Sequence, residues 1–184
     1  MDALVRLCPP PVDPPPVVDW ARTERALGTA LPADYKRLVE TYGDGIFDET
    51  IWLLVPCSSS DDRDLLAQTT ERDAVLTGLW GTGEEKPAGL TEAGARVLPW
   101  AFEEGTGAFL YRLARPGTHP DEWTVLHNEG RGPLSEHHYM GCVAFLVAVL
   151  TGTAETDCIG YLHDVLTPTV HRFMTAHQVL GASR

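Results

Sequence analysis

The sequence predicts a single α+β domain, a twisted and mainly antiparallel sheet with helices packed around it. The 184 residues are 43% hydrophobic and 22% charged, which is typical of one globular domain with a sizeable core. Segments with helical periodicity follow a Pro-rich start and close the chain, and most of the short strand-like segments lie between them. Neither alternating βαβ units nor a repeat of about 20–50 residues is present, which argues against a parallel sheet and a solenoid.

The N-terminal segment is expected to be extended. Residues 1–16 contain six prolines, which withhold N–H donors and favour the polyproline II conformation. We therefore predict a surface arm or strap, with a ligand for a groove-containing domain as the alternative. The segment lacks a basic start followed by a long apolar stretch, so a secretory signal is not expected.

Two short helices follow, joined at a tight corner. Asp19 is a good N-cap for a helix over 20–27, and Gly28 suits its end. Pro32 suits the first position of a second helix, which Gly43 ends. One apolar stripe of that helix, expected to face the core, consists of Tyr35, Leu38, Val39 and Tyr42.

Strand signals dominate the middle of the chain. Residues 46–47 and 51–55 are predicted strands, after which Asp61 or Asp62 caps a helix that continues to about Trp80. A connection rich in glycine and glutamate follows. The later predictions are a hairpin with strands over 97–102 and 108–113, a strand over 123–127 and a turn over 130–135.

The last part of the chain is predicted to be helical. Residues 139–150 are apolar on nearly every side, which indicates a buried helix that ends at Gly152. A further helix is expected over 168–180. The predicted organisation is therefore a Pro-rich arm over 1–16, an α+β domain over 17–152 and a helical C-terminal extension over 153–184 packed on the domain.

The charge restricts the classes of partner. With 26 acidic and 14 basic residues the net charge is −12, which argues against direct binding of nucleic acid and also fits ordinary solubility. The longest apolar run, residues 142–150, is about half the length of a membrane span, so no membrane association is expected. Four cysteines without CxxC spacing favour a reduced, cytoplasmic setting.

The sequence offers no catalytic constellation. The glycine-rich residues 81–87 lack the spacer and the ending of a phosphate-binding loop, and Ser58–Ser60 lack a neighbouring base. His137, His138 and Cys142 are close in sequence but do not have the spacing of a metal site. We therefore expect no enzymatic activity, no metal and no cofactor, and keep a small metal-dependent enzyme as the least favoured alternative.

Acidic pairs recur in the predicted loops. Gathered on one face, they would create a negative field that speeds encounter with a basic protein. Trp52 is a candidate aromatic anchor beside them, although the core is the commoner place for such a tryptophan. The candidate partner-binding residues are Asp44, Asp48, Glu49, Trp52, Glu103, Glu104, Asp121 and Glu122.

The two first helices also carry a sequence signature. Its residues, in order, are Trp20, Glu24, Leu27-Gly28, Leu31-Pro32, Asp34-Tyr35-Lys36 and Tyr42-Gly43-Asp44-Gly45. This order resembles the N-terminal signature of the SUKH superfamily (the Smi/Knr-type proteins), which is approximately E-x-x-L-G-x-x-L-P-x-D-Y-K followed by a tyrosine and an Asn-Gly-Gly-like turn. The later segments Val97-Leu98-Pro99-Trp100, 109–113, Trp123-Thr124-Val125 and Phe145-Leu146 agree in order with the rest of that family's core.

The resemblance covers residues 17–152 and implies an α+β fold without enzymatic activity. Bacterial members are mostly immunity proteins of polymorphic toxin systems, which bind a secreted toxin, often a nuclease or deaminase, inside the producing cell. Fungal relatives are regulatory interaction proteins. We therefore expect a cytoplasmic immunity protein that neutralises a cognate basic toxin, with a regulatory or scaffold protein as the alternative. Because members share no single interface, the resemblance assigns no binding residue.

Overall fold

The computed structural model describes residues 1–129, 134–154 and 170–181, and confirms the α+β class. The strands are β1 (Gly45–Phe47), β2 (Ile51–Leu53), β3 (Arg96–Glu103), β4 (Phe109–Ala114), β5 (Thr124–Asn128), β6 (Ser135–His138) and β7 (Phe173–Thr175). They form one antiparallel sheet in the order β6-β5-β4-β3-β2-β1-β7. The α-helices of these residues are α1 (Asp2–Leu7), α2 (Trp20–Leu27), α3 (Ala33–Tyr42), α4 (Leu65–Gly81), α5 (Cys142–Leu150) and α6 (Ala176–Gly181).

The corner between α2 and α3 forms much as predicted. The Asp19 carboxylate accepts a hydrogen bond of 2.9 Å from the backbone N–H of Arg22, and Gly28 ends α2 in the left-handed conformation at φ 68°. Pro32 is the N-cap of α3 rather than its first residue, so the helix begins one residue later than predicted. The predicted stripe of Tyr35, Leu38, Val39 and Tyr42 is buried.

The N-terminal segment begins with a helix, which corrects the prediction of an extended arm. Helix α1 packs against α5, and Leu4 and Cys8 are fully buried. The Tyr42 hydroxyl donates a hydrogen bond of 2.6 Å to the Cys8 carbonyl. The apolar residues that precede the first proline therefore join the core, and residues 9–18 alone follow the surface as a strap without helix or strand.

Helix α4 begins later than predicted because its N-cap is Asp64, not Asp61 or Asp62. The Asp64 carboxylate accepts hydrogen bonds of 2.9 Å from the N–H groups of Leu66 and Ala67. Asp64 also forms an isolated bridge with Val55, which holds the preceding residues in a turn.

The predicted helix over 168–180 contains a strand, whereas the predicted helix over 139–150 forms from residue 142 onward and follows a strand that was not predicted. Helix α5 begins at Cys142, while β6 precedes it and Tyr139 between them is 81% exposed. The segment predicted as a helix over 168–180 contains the strand β7 followed by the helix α6. Residues 168–169 of that prediction lie outside the described residues. Strand β7 pairs with β1, which is distant in sequence, and β6 pairs with β5. Local periodicity does not reveal such pairings between strands.

The two faces of the sheet carry different helices. Alternate side chains of β4 show this, because Arg112 contacts α5 at Cys142 whereas Phe109 lies under the guanidinium of Arg72 from α4 at 4.5 Å. Helices α1, α3 and α5 pack together on the first face. The main core lies there, around Tyr35, Trp100 and Phe145.

Candidate partner-binding site

The structure divides the predicted partner-binding residues among three places. Asp48 and Glu49 form the turn between β1 and β2, which we call the acidic turn, and Glu103 and Glu104 end β3. Because Ile51 pairs with both Phe47 and Glu103, these four residues meet at one end of the sheet. Asp44 lies at the opposite end of β1, and Asp121 and Glu122 lie beside the N-terminus of α3.

The acidic turn has an unusual backbone for its sequence. Asp48 and Glu49 have φ values of 46° and 56°, and the Thr50 N–H donates a hydrogen bond of 2.9 Å to the Phe47 carbonyl. Two consecutive residues with positive φ inside such a hydrogen-bonded turn are the pattern that Asn-Gly adopts with the least strain, and the pairing of Phe47 with Ile51 leaves Thr50 as a third loop residue. Glutamate in the second position costs roughly 1 kcal/mol relative to glycine.

The acidic turn already binds basic residues of the same chain. One Asp48 carboxylate oxygen lies 2.6 Å from His171 Nδ1, and the other accepts a hydrogen bond of 2.8 Å from the Arg172 N–H. Asp48 in turn donates its N–H to the Arg172 carbonyl at 2.9 Å, and the Arg172 guanidinium lies 3.8 Å from the Glu49 carboxylate. The His171 and Asp48 side chains are only 8% and 7% exposed. Sequence reasoning did not find this contact, although the basic pair before Phe173 was a visible signal.

Trp52 and Glu103 are buried, so they do not form an exposed binding surface. Trp52 is 5% exposed, its Nε1–H donates to the Glu104 carboxylate, and the Arg63 guanidinium lies 5.1 Å from its ring. Glu103 is 2% exposed, and its Oε1 lies 3.0 Å from His127 Nε2. The prediction that the acidic pairs lie in loops is wrong for Glu103, because it still belongs to β3 and points into the protein. The structure supports the alternative interpretation of Trp52, that it belongs to the core.

The remaining candidates support local structure. The Asp44 carboxylate accepts hydrogen bonds from Ser58 at 2.8 Å and from Arg63 at 3.0 Å, which fixes the loop before α4. The Asp121 carboxylate accepts a hydrogen bond of 2.5 Å from the Ala33 N–H and so supports the start of α3. Glu122 is exposed on the same short 3₁₀ helix, Pro120–Glu122.

A buried ionic cluster lies on the first face of the sheet. Arg112 is 2% exposed, its Nη2 lies 2.9 Å from the Asp34 carboxylate, and it also contacts Cys142 Sγ. Burial alone would raise the pKa of Asp34, but the charge and hydrogen bonds of Arg112 outweigh it and hold that pKa below its ordinary value. Burial raises the pKa of the Cys142 thiol, which is therefore a poor nucleophile. The cluster joins α3, β4 and α5 and is structural.

The strap over 9–18 borders two concave surfaces. Cavities of about 700 Å³ and about 570 Å³ lie beside it, and Pro15, Gly43 and Asp44 line both. Pro15 packs directly on Gly43, since a Cβ at Gly43 would lie 2.9 Å from the Pro15 Cβ. The residues that line the second cavity include Ser59, the exposed Cys57 and Ser58, whose hydroxyl donates to the Asp44 carboxylate.

The candidate metal ligands do not come together in the described part of the chain. His137 Nε2 lies 2.6 Å from the Thr124 hydroxyl, whereas the neighbouring His138 faces Phe145 on the other side of the sheet. Burial lowers the pKa of His138, so its imidazole is neutral at physiological pH. Among residues 1–129, 134–154 and 170–181, no group of three or more His, Cys, Asp or Glu side chains is arranged to hold a metal ion.

Comparisons with protein-family models, with curated proteins and with solved structures found no match to this chain. A search of the described helices for one long and apolar enough to cross a membrane found none.

Proposed function

We propose that this protein is a cytoplasmic immunity protein that neutralises a cognate basic toxin by stoichiometric binding. The observation that carries the proposal is the acidic turn. Two acidic residues occupy both strained positions of a hairpin turn, and they bind a histidine and an arginine of the same chain. Residues with strained backbone conformations cluster at functional sites, and acidic side chains so placed suit a partner rich in Lys and Arg.

The SUKH-like signature and the total charge support the same function. Signature residues Tyr35 and Tyr42 are buried, and their hydroxyls bond to the Leu54 and Cys8 carbonyls, so the signature builds the scaffold rather than a catalytic site. The net charge of −12 favours rapid encounter with a basic protein, with an association rate that falls as salt screens the charges.

The direct test is co-expression with a candidate toxin from a neighbouring gene. We expect cells that carry both genes to grow and cells that carry the toxin alone to die. Equal killing in the presence and absence of this protein would refute the proposal.

A second test locates the contact. Charge reversal of the exposed Glu49 and Glu104 to lysine should slow toxin association by tenfold or more, because both lie at the acidic end of the sheet. The matched control reverses the exposed Asp61 and Asp62, which lie near the opposite end and change the net charge equally. Equal effects of the two double variants would mean that only total charge matters.

A regulatory or scaffold role is the second candidate, because the strap exposes apolar residues. Val12 and Val17 are fully exposed on either side of a run of three prolines, an arrangement suited to a domain that binds extended Pro-rich segments. Changing both valines to aspartate should abolish capture of such partners and leave toxin neutralisation unchanged. Captured proteins that include no toxin, from a cell with no toxin gene beside this one, would favour this candidate.

A further inference from the structure

We infer that the outer edge of β1 is a docking site for an extended partner segment in which basic residues precede an aromatic one. The chain's own residues 171–175 occupy this site, so a partner segment binds by displacing them. The inference takes the nature of the partner from the proposed function, but the site itself follows from the contacts below.

The backbone of β1 is built to receive a strand at this edge. Gly45, Ile46 and Phe47 pair antiparallel with Thr175, Met174 and Phe173. A side chain at Gly45 would overlap the Met174 carbonyl oxygen and approach the Phe173 ring, so glycine keeps the edge open to an incoming strand. Added strands obtain affinity from such main-chain pairing and specificity from alternate side chains.

Aromatic and acidic side chains contact the first three residues of the docked segment, 171–173. The Phe173 ring lies 5.0 Å from the Tyr42 ring and 4.9 Å from the Phe47 ring. His171 meets the buried carboxylate of Asp48, and Arg172 reaches the exposed Glu49. The site therefore recognises a histidine or another basic residue, then an arginine, then an aromatic residue.

The occupant in the structure lies at the edge of the sheet and is short and partly exposed. Strand β7 has three residues, all only partly buried, and α6, which follows it, has six. Val170 and Leu180 at the two ends of this segment are 70% and 52% exposed. A segment of the same chain competes with a separate partner segment at an effective concentration, so weakening it should favour the partner.

The test uses the full-length chain and a synthetic peptide with the sequence of residues 170–181. A release variant, His171→Ala with Phe173→Ala, weakens the intramolecular occupant and leaves β1 and the acidic turn intact. We expect the peptide to bind the release variant at least tenfold more tightly than it binds the wild-type chain, because the competing segment is lost. The matched control is His177→Ala, an exposed change on α6, which should leave peptide affinity at the wild-type value.

One further protein variant and one further peptide test the specificity of the docking site. Asp48→Asn added to the release variant should reduce peptide affinity tenfold or more, and asparagine tolerates the left-handed backbone at this position. A peptide with glutamate in place of His171 and Arg172 should not bind. Peptide affinity equal for the release variant and the wild-type chain would overturn the inference.

A release variant that fails to fold does not end the test. In ¹⁵N-labelled wild-type protein, unlabelled peptide at millimolar concentration should replace the amide signals of residues 173–175 with those of a displaced segment. Unchanged signals would overturn the inference. A concentration-dependent dimer of the wild-type chain that the release variant does not form would also overturn it, because the site would then belong to a second copy.

The outcomes separate this inference from the proposed function. Peptide binding without toxin neutralisation would keep the docking site and reject the immunity function. Toxin neutralisation without peptide binding would reject the docking site alone.

Discussion

Removing the carboxylate of Asp34 should destabilise the protein more than any change on its surface. Arg112 is 2% exposed, and Asp34 is the carboxylate that lies 2.9 Å from its guanidinium. Breaking a buried ion pair by removal of one partner costs about 3–5 kcal/mol, since the other charge is left without compensation. The Asp34 side chain is 25% exposed, so water partly replaces it and the lower end applies, about 3 kcal/mol.

The assay is thermal and urea unfolding of Asp34→Ala. For a chain of 184 residues, a loss of about 3 kcal/mol lowers Tm by about 6–12 °C. Arg112→Met in the same background should restore part of the loss, because it removes the uncompensated charge and retains the packing volume. The control Asp62→Ala, at an exposed loop position, should change the free energy of unfolding by about 0.5 kcal/mol or less.

The pH dependence of this effect has a defined sign. The folded pKa of Asp34 lies below its ordinary value of 3.8, so its contribution to stability is complete above that value. The contribution is lost as pH falls through the folded pKa. The difference between wild type and Asp34→Ala should therefore stay constant between about pH 5 and pH 7 and decrease below about pH 4. An Asp34→Ala variant within about 1 kcal/mol of wild type at neutral pH would refute this reasoning.

Four other outcomes follow from single positions. Glu49→Gly relieves positive φ and should raise the free energy of unfolding by about 1 kcal/mol in urea titrations, while toxin binding weakens. Tyr42→Phe removes the hydrogen bond to the Cys8 carbonyl, so unfolding should cost about 1 kcal/mol less and amide exchange in α1 should accelerate. Gly45→Ala should release β7, seen as proteolytic cleavage within 170–181 under conditions that leave the wild-type chain intact. Of the described cysteines, Cys57 should react first with a thiol reagent, because Cys142 is buried and burial raises the pKa of Cys8 to about 12.

The sequence predicted those elements whose signals are local. Asp19 and Gly28 define α2 through hydrogen bonds and a backbone conformation that involve only neighbouring residues. Apolar spacing at three and four residues predicted the buried face of α3, and two strand-like segments on either side of a short glycine-containing turn predicted the central hairpin of β3 and β4. Such features need no knowledge of distant segments, because caps, turns and periodicity act within a few residues.

Tertiary structure decided the features that depend on a partner far along the chain. Strand β7 exists because β1, about 128 residues earlier, offers an edge, an open position at Gly45 and the carboxylate of Asp48. This pairing places Asp48 and Glu49 against His171 and Arg172, whereas Glu103 is buried on β3 beside His127 of β5. Sequence alone determined the α+β class and the abundance of acidic loops. Which carboxylates remain exposed was decided by strand register, because each step along a strand reverses the face that a side chain occupies.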